Sequence, residues 1–150
     1  MASLSRKKRI EENRRDKKDL VFEGKSHGIL VYAGKKPIGW CQFGTKEELP
    51  RIDAKRTYRS LILPTTRRRL WRITCFVVAK EFRRRGVAGV ALRAAIESIR
   101  KSGGGTIEAY PVTSMKAVGV WFGTVGMFER EGFDLVSPLG RSKVVMRKTI

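Results

Sequence analysis

Hydrophobic and polar positions divide the chain into segments of two periods. Residues Gly28–Ala33 (Gly-Ile-Leu-Val-Tyr-Ala) and Ile38–Phe43 (Ile-Gly-Trp-Cys-Gln-Phe) read as strands. The turn Gly34–Pro37 between them predicts an antiparallel hairpin. Trp71–Val78 is apolar enough on both faces to predict a central strand. Val87–Lys101 has the helical period, with Ala88, Leu92, Ala95, Ile96 and Ile99 on one face and Arg93, Glu97, Arg100 and Lys101 on the other. Ser102–Gly105 ends that helix, and its basic last turn suits the dipole. Thr106–Tyr110 is the next strand, stopped by Pro111. A strand, a helix and a strand in this order make a crossover unit, so the two strands should lie parallel. A short helix over Thr124–Glu131, closed by Gly132, and a strand over Lys143–Lys148 complete an α/β pattern with a mixed sheet. The connection Thr45–Leu70, with Pro50, Pro64 and Arg67–Arg69, is long enough to carry a function or short elements of its own.

With 150 residues, 41% of them hydrophobic, the chain can bury the core of one domain over 28–150. Residues 1–27 read as a basic arm: Met1–Lys18 holds eight Lys/Arg against three acidic residues, and its apolar positions make a poor helix face. The formal net charge is +19. Such a surface attracts polyanions, among them nucleic acid, anionic lipid and polyphosphate cofactors. His27 is the sole histidine, and Cys41 and Cys75 show no metal-ligand spacing. Metal sites and a Ser-His-Asp system are thereby disfavoured, and the cysteines read as reduced packing residues. The basic N-terminus lacks an apolar signal region and no stretch has transmembrane length, which points to a cytoplasmic protein with no membrane partner.

The chemistry concentrates where the central strand meets the long helix, at Arg83-Arg84-Arg85-Gly86-Val87-Ala88. A helix N-terminus offers unpaired N–H groups and partial positive charge, and three arginines add full charges. Two readings stand at this level: a phosphate or diphosphate site, or a turn glycine within a solvated charge run. Neither GxGxxG after a strand nor GxxxxGK[ST] occurs, and Gly103–Gly105 follows a helix, so it reads as a cap.

Arg83-x-x-Gly86-x-Ala88 resembles the R-x-x-G-x-G/A signature of the GNAT superfamily of N-acetyltransferases. The resemblance extends through Pro37–Gly44, Glu108–Val112 and Gly123–Phe133, in the family's order. It implies a mostly antiparallel mixed sheet with a central, splayed parallel pair and flanking helices. It implies acetyl-CoA as cofactor and direct transfer of an acetyl group to a primary amine, of a small molecule or a protein. The amides of Arg84, Arg85, Gly86, Val87 and Ala88, with Arg83 beside them, would hold the pyrophosphate. The main chain of Phe76 and Val78 would pair with the pantetheine arm, and an N–H near Val77 or Val78 would face the thioester oxygen.

Phe128 stands where many relatives place a tyrosine beside the cofactor thiol, and Trp71–Val78 contains no carboxylate to serve as base. Glu108, acting directly or through water, and Tyr110 are the remaining acid–base candidates. A carboxylate paired with an arginine explains Glu108 equally well. Trp40, Trp71 and Trp121 read as core or pocket walls, and Glu47 and Glu48 as loop residues or attractors of a cationic amine. Relatives begin with a strand and two helices, where at most one poor helix precedes Gly28. A shortened fold or a partner subunit, such as a second copy in a homodimer, would account for the difference. Two alternatives accompany the enzyme reading: a CoA-binding protein without efficient turnover, and a nucleic-acid-associated protein acting through the basic arm.

Overall fold

The computed structural model describes residues 8–9, 11–12, 14–16, 27–114 and 122–150, and Trp121 lies outside them. The described residues between 8 and 16 are helical. Six strands form one sheet in the order β1-β2-β3-β4-β6-β5. β1 (His27–Ala33) and β2 (Lys36–Thr45) make the expected hairpin. β3 (Leu70–Val78) pairs antiparallel with β2 and parallel with β4 (Thr106–Ala109). β6 (Lys143–Thr149) then runs antiparallel to both β4 and β5 (Asp134–Leu139). β5 has no counterpart in the sequence reading. Its Asp-Leu-Val-Ser-Pro-Leu run is short and contains Pro138, a residue an edge strand tolerates because its outer N–H needs no partner.

The connection 46–69 contains a 3₁₀ turn, Pro50–Ala54, and one helical turn, α1 (Arg56–Arg59). The long helix α2 occupies Val87–Lys101, and α3 occupies Val125–Arg130, capped by Thr124. α2 packs Ala91, Leu92, Ala95, Ile96 and Ile99 on one face of the sheet, against Phe43, Trp71, Ile73, Phe76, Ile107 and Met146. Met127 and Phe128 of α3 join this core. The opposite face is covered by the connection: Ile52, Tyr58, Leu61 and Leu63 pack on Tyr110, Leu139 and Val145.

A bulge at Thr74 changes the course of β3. Gln42 pairs with Cys75 and Phe43 with Ile73, so β3 carries one residue more than β2. Ile73 and Phe76, three apart, thereby both reach the α2 side. The β3–β4 register ends at Ile73↔Ala109, although β3 continues to Val78. Pro111 has no N–H to extend the ladder, and Val112 bridges to Thr124 and Lys143 instead. The central parallel pair therefore splays beyond Ile73 and Ala109.

Candidate functional site

At the open end of the splay, a 3₁₀ turn at Lys80–Phe82 leads through Arg83 into Gly86, the N-cap of α2. The Ala79 amide donates to the Ile38 carbonyl at 2.8 Å, which ties the turn to β2. Arg84 (φ 61°) and Gly86 (φ 77°) both take the left-handed conformation, which curls successive N–H groups to one side. The first α2 bond runs from the Val90 amide to the Gly86 carbonyl, at 3.1 Å. Among the described residues, no acceptor meets the amides of Arg84 to Gly89.

A Cβ built on Gly86 would meet nothing within 4 Å, so the space above these amides is open. Below them, contact is tight. A Cβ on Gly39 of β2 would lie 2.5 Å from Val87 Cγ1, so that glycine sets how closely the helix start approaches the sheet. Of the three arginines, Arg83 bonds back to the Val78 carbonyl at 3.2 Å and Arg85 stacks on Phe82 at 5.7 Å. Arg84 is exposed and makes no such contact.

Beside the turn, the β3 edge that would continue β4's ladder has no strand partner past Ile73 among the described residues. Phe76 is buried, and its ring meets Phe128 edge-on at 6.1 Å. Val77 is exposed and Val78 half-buried. The open amides and the open edge thus adjoin. Phe128, expected beside the cofactor, is fully buried and packs edge-on against Phe133 at 5.0 Å, so its visible role is in the core.

Glu108 and Tyr110 are brought together, but with every Glu108 oxygen engaged. Glu108 is fully buried. Its Oε1 accepts from the hydroxyls of Tyr58 (2.6 Å) and Tyr110 (2.7 Å). Its Oε2 accepts from Arg147 Nε (2.8 Å) and forms an ion pair with Arg147 Nη2 (2.7 Å). The arginine-paired reading therefore describes Glu108, and no oxygen is left pointing at free space as a base would need. Burial, reinforced by the Glu108 charge, pushes the Tyr110 hydroxyl far above the ordinary tyrosine range. Tyr58 is raised by burial and by its bond to Glu108.

The sequence reading missed the rest of this network: Asp53, Tyr58, Arg72 and Arg147. Arg72, also fully buried, makes a bidentate pair with Asp53 at 2.7 Å and donates to the Leu49 carbonyl. Burial opposes the Arg72 charge, but the Asp53 bond together with the neighbouring Tyr110 and Tyr58 oxygens outweighs it and holds the guanidinium above its ordinary range. One signal was available. An arginine inside the apolar run Trp71–Val78 must find a buried counter-ion, because an unpaired interior charge is too costly.

Of the other singled-out residues, Trp71 and Cys41 are buried, Trp40, Cys75 and Glu48 are half-buried and Glu47 is exposed. Trp71 donates to the Gly104 carbonyl at 3.1 Å, and both cysteines are free, with thiols raised by burial. Among the described residues no group of three or more His, Cys, Asp or Glu could hold a metal ion, and no helix is long and apolar enough to cross a membrane.

The profile of the acetyltransferase (GNAT) family matches residues 2–123, a span that includes the basic N-terminal stretch. No curated protein sequence matches. Among solved structures, the chain resembles the PaiA N-acetyltransferase from Thermoplasma acidophilum in complex with coenzyme A, with a TM-score of 0.61 at 14% identity, over 97% of this chain and 74% of that one. It resembles the ribosomal-protein-alanine N-acetyltransferase from Brucella melitensis with a TM-score of 0.61 at 15% identity, over 93% and 78%. The NatC complex bound to Gag peptide and CoA gives 0.55 at 15% identity, over 82% and 70%. At such identities the likeness to these structures is one of fold. The family match covers most of the chain, and the splayed sheet and the open amide turn agree with it: the chain belongs to the acetyltransferase (GNAT) family, whose cofactor is acetyl-CoA.

Proposed function

We propose that the chain transfers an acetyl group from acetyl-CoA to the α-amine of a peptide or protein. The observation that carries the cofactor half is the set of acceptor-free amides from Arg84 to Gly89 under open space at Gly86. These amides, together with Arg84, would hold the pyrophosphate. The free edge of β3 at Phe76 and Val78 would pair with the pantetheine arm, as an added strand pairs with a sheet edge. When bound, acetyl-CoA supplies the activated acyl group. An N–H at Val77 or Val78 would stabilise the negative charge that develops on its carbonyl oxygen, an effect of about 3 kcal/mol where measured for single donors.

The acceptor half follows from proton bookkeeping. Glu108, its oxygens occupied, and Tyr110, its hydroxyl raised by burial, are positioned to fix β4 and do not take the proton from the amine. An α-amine, with a pKa near 7.8, is roughly one quarter neutral at pH 7.4, whereas a lysine side chain near 10.4 is neutral in about one molecule per thousand. A site without a free base therefore favours the α-amine, which loses its proton to water before attack. Two of the similar structures have peptide or ribosomal-protein acceptors in their names, in keeping with this reading.

The test is thiol release from acetyl-CoA with two peptides, one with a free N-terminus and no lysine, the other N-acetylated with one lysine. Turnover of the first at least tenfold above the second is expected. A preference for lysine would overturn the acceptor assignment. In Gly86→Glu the new carboxylate would occupy the amide turn, so CoA binding should be lost, and retained binding would overturn the cofactor placement. The second reading, CoA binding without efficient turnover, is favoured by the phenyl ring of Phe128, which has no hydroxyl with which to protonate a leaving thiolate. Tight CoA binding with no thiol release on either peptide would select it.

A further inference from the structure

The end of the sheet opposite the amide turn carries a second concentration of positive charge. β3 has nine residues, so Leu70 and the residues before it lie about 26 Å from Val78, beyond reach of a phosphate bound at Gly86. Here Pro64–Arg68 forms a ridge between two grooves of about 630 and 670 Å³. Lys46, Arg67, Arg68, Arg69, Arg147 and Lys148 line them, against only Glu47 and Asp134. Among the described residues, Lys46, Arg67, Arg68 and Arg69 are exposed and in no ion pair. The acids that could have neutralised them are committed: Asp53 to Arg72 and Glu108 to Arg147.

This charge is held in place. The Arg68 amide donates to Thr66 Oγ1 at 3.2 Å, and Thr66 Oγ1 meets Thr106 Oγ1 at 3.0 Å. The Thr106 amide donates to the Arg69 carbonyl at 2.9 Å, and Arg147 donates to the Pro64 carbonyl. Exposed arginine side chains on a backbone fixed in this way present the guanidinium donors that phosphate backbones receive.

We propose that this ridge and its grooves dock double-stranded RNA, with the ridge in the minor groove and one phosphate row over each flanking groove. The A-form minor groove is wide and shallow and displays 2′-hydroxyls, which suits a ridge one chain thick. The deep major groove of B-DNA calls for an inserted helix or two-stranded ribbon, whereas the ridge at Pro64–Arg68 is neither and the β5–β6 pair forms only a wall of the first groove. Among the described residues the one aromatic side chain lining a groove is Tyr58, half-buried and packed edge-on against Tyr110, so single-stranded bases have no free stacking platform. The inference is independent of the acetyl-transfer reading.

The test is fluorescence anisotropy of a labelled 20-base-pair RNA duplex against the full chain from 0.05 to 0.3 M KCl. Two further arms use a DNA duplex of the same sequence and phosphatidylserine-containing vesicles. Each phosphate contact contributes about 0.9 to the log–log salt slope, so losing two should reduce it by about 2 and weaken binding about 60-fold at 0.1 M. That outcome is expected for Arg67→Ala/Arg68→Ala, with its melting temperature and CoA titration unchanged. Arg14→Ala/Arg15→Ala, in the N-terminal segment, should leave most of the slope intact. An unaltered slope in Arg67→Ala/Arg68→Ala would overturn the proposal, as would loss confined to Arg14→Ala/Arg15→Ala. Equal or tighter binding of the DNA duplex or the vesicles would overturn the assignment to RNA.

Discussion

Replacing Glu108 by alanine separates a carboxylate that holds the fold from one that moves a proton. The side chain is fully buried and accepts three hydrogen bonds, two from tyrosine hydroxyls and one from Arg147 Nε, beside its ion pair with Arg147 Nη2. Its removal leaves the Arg147 guanidinium, 13% exposed, with only the Pro64 carbonyl, and deprives Tyr110 of its hydroxyl's acceptor. Breaking a buried pair by deleting one partner costs about 3–5 kcal/mol. The orphaned hydroxyls add to this, partly overlapping it, so a loss of about 4 kcal/mol is expected. At about 2–4 °C per kcal/mol for a chain of this size, the melting temperature should fall by about 8–16 °C. Thermal unfolding followed by circular dichroism at 222 nm reads the shift. Tyr58→Phe, which removes the bond to the Glu108 carboxylate and the longer one from Arg72, should cost about 1.5–3 kcal/mol. The pH profile of kcat/KM for Glu108→Ala, measured well below its melting point, should keep the wild-type shape. A melting temperature within 2 °C of wild type, with the alkaline limb of that profile displaced, would refute the structural role and restore Glu108 as the base.

Gly39→Ala places a methyl against Val87 Cγ1 and should cost about 1–3 kcal/mol by overpacking. Because the strain falls on the helix start, CoA affinity by calorimetry should drop several-fold, and unchanged affinity would show that the turn is insensitive to the helix position. Phe128→Ala should destabilise by about 3–5 kcal/mol in urea unfolding, since the ring is fully enclosed. Asp53 has its pKa lowered in the fold, chiefly by the Arg72 bond, so its stabilisation is present above the ordinary carboxyl value of 3.8 and is lost as pH falls through the lower folded value. The melting-temperature gap between wild type and Asp53→Asn should therefore be full at pH 6 and shrink below pH 4; a gap that widens with acid would contradict the sign. Burial raises both thiols, so alkylation of Cys41 and Cys75 by iodoacetamide at pH 8 should be far slower in the native chain than in urea.

The parts of this fold legible in the sequence are those fixed by local periodicity. α2 spans Val87–Lys101 as read, because its apolar face repeats through four turns between Gly86 and the glycines that follow Ser102. The crossover made the parallel pairing of β3 and β4 a matter of handedness and connection length, and it is observed. What local pattern misses is long-range. The partners of Glu108 come from 50 residues before it and 39 after it, and no periodicity links them. The packing of Ile52, Tyr58, Leu61 and Leu63 on the lower face has irregular spacing, so the short elements expected in the segment had no legible position. The bulge at Thr74 depends on how Phe43 and Ile73 align across two strands 30 residues apart. At the candidate site, the backbone features around Gly86 were legible because glycine and strand–helix succession mark them. The occupancy of Glu108 was not, because a sequence shows carboxylates without their neighbours.

The two concentrations of positive charge bear on each other through this same division. Formal charge is +19, and two of the fourteen acids are spent inside the sheet on Arg72 and Arg147. Both ends of β3 are left to solvent with excess cations, and a polyanion at either end relieves self-repulsion. Direct communication between the ends is weak all the same. Two unit charges 26 Å apart in water interact by about 0.16 kcal/mol before screening, and the Debye length of about 8 Å at physiological salt removes nearly all of that. Any coupling between the amide turn and the ridge at Pro64–Arg68 must therefore travel through packed elements. β2 and β3 both run between the two, and the Arg72–Asp53 and Glu108–Arg147 pairs sit near the ridge end, each bonded also to the connection that ends in the ridge. A network that stabilises the fold at that point also fixes the distance between the two surfaces, so it holds them as separate sites on one rigid sheet.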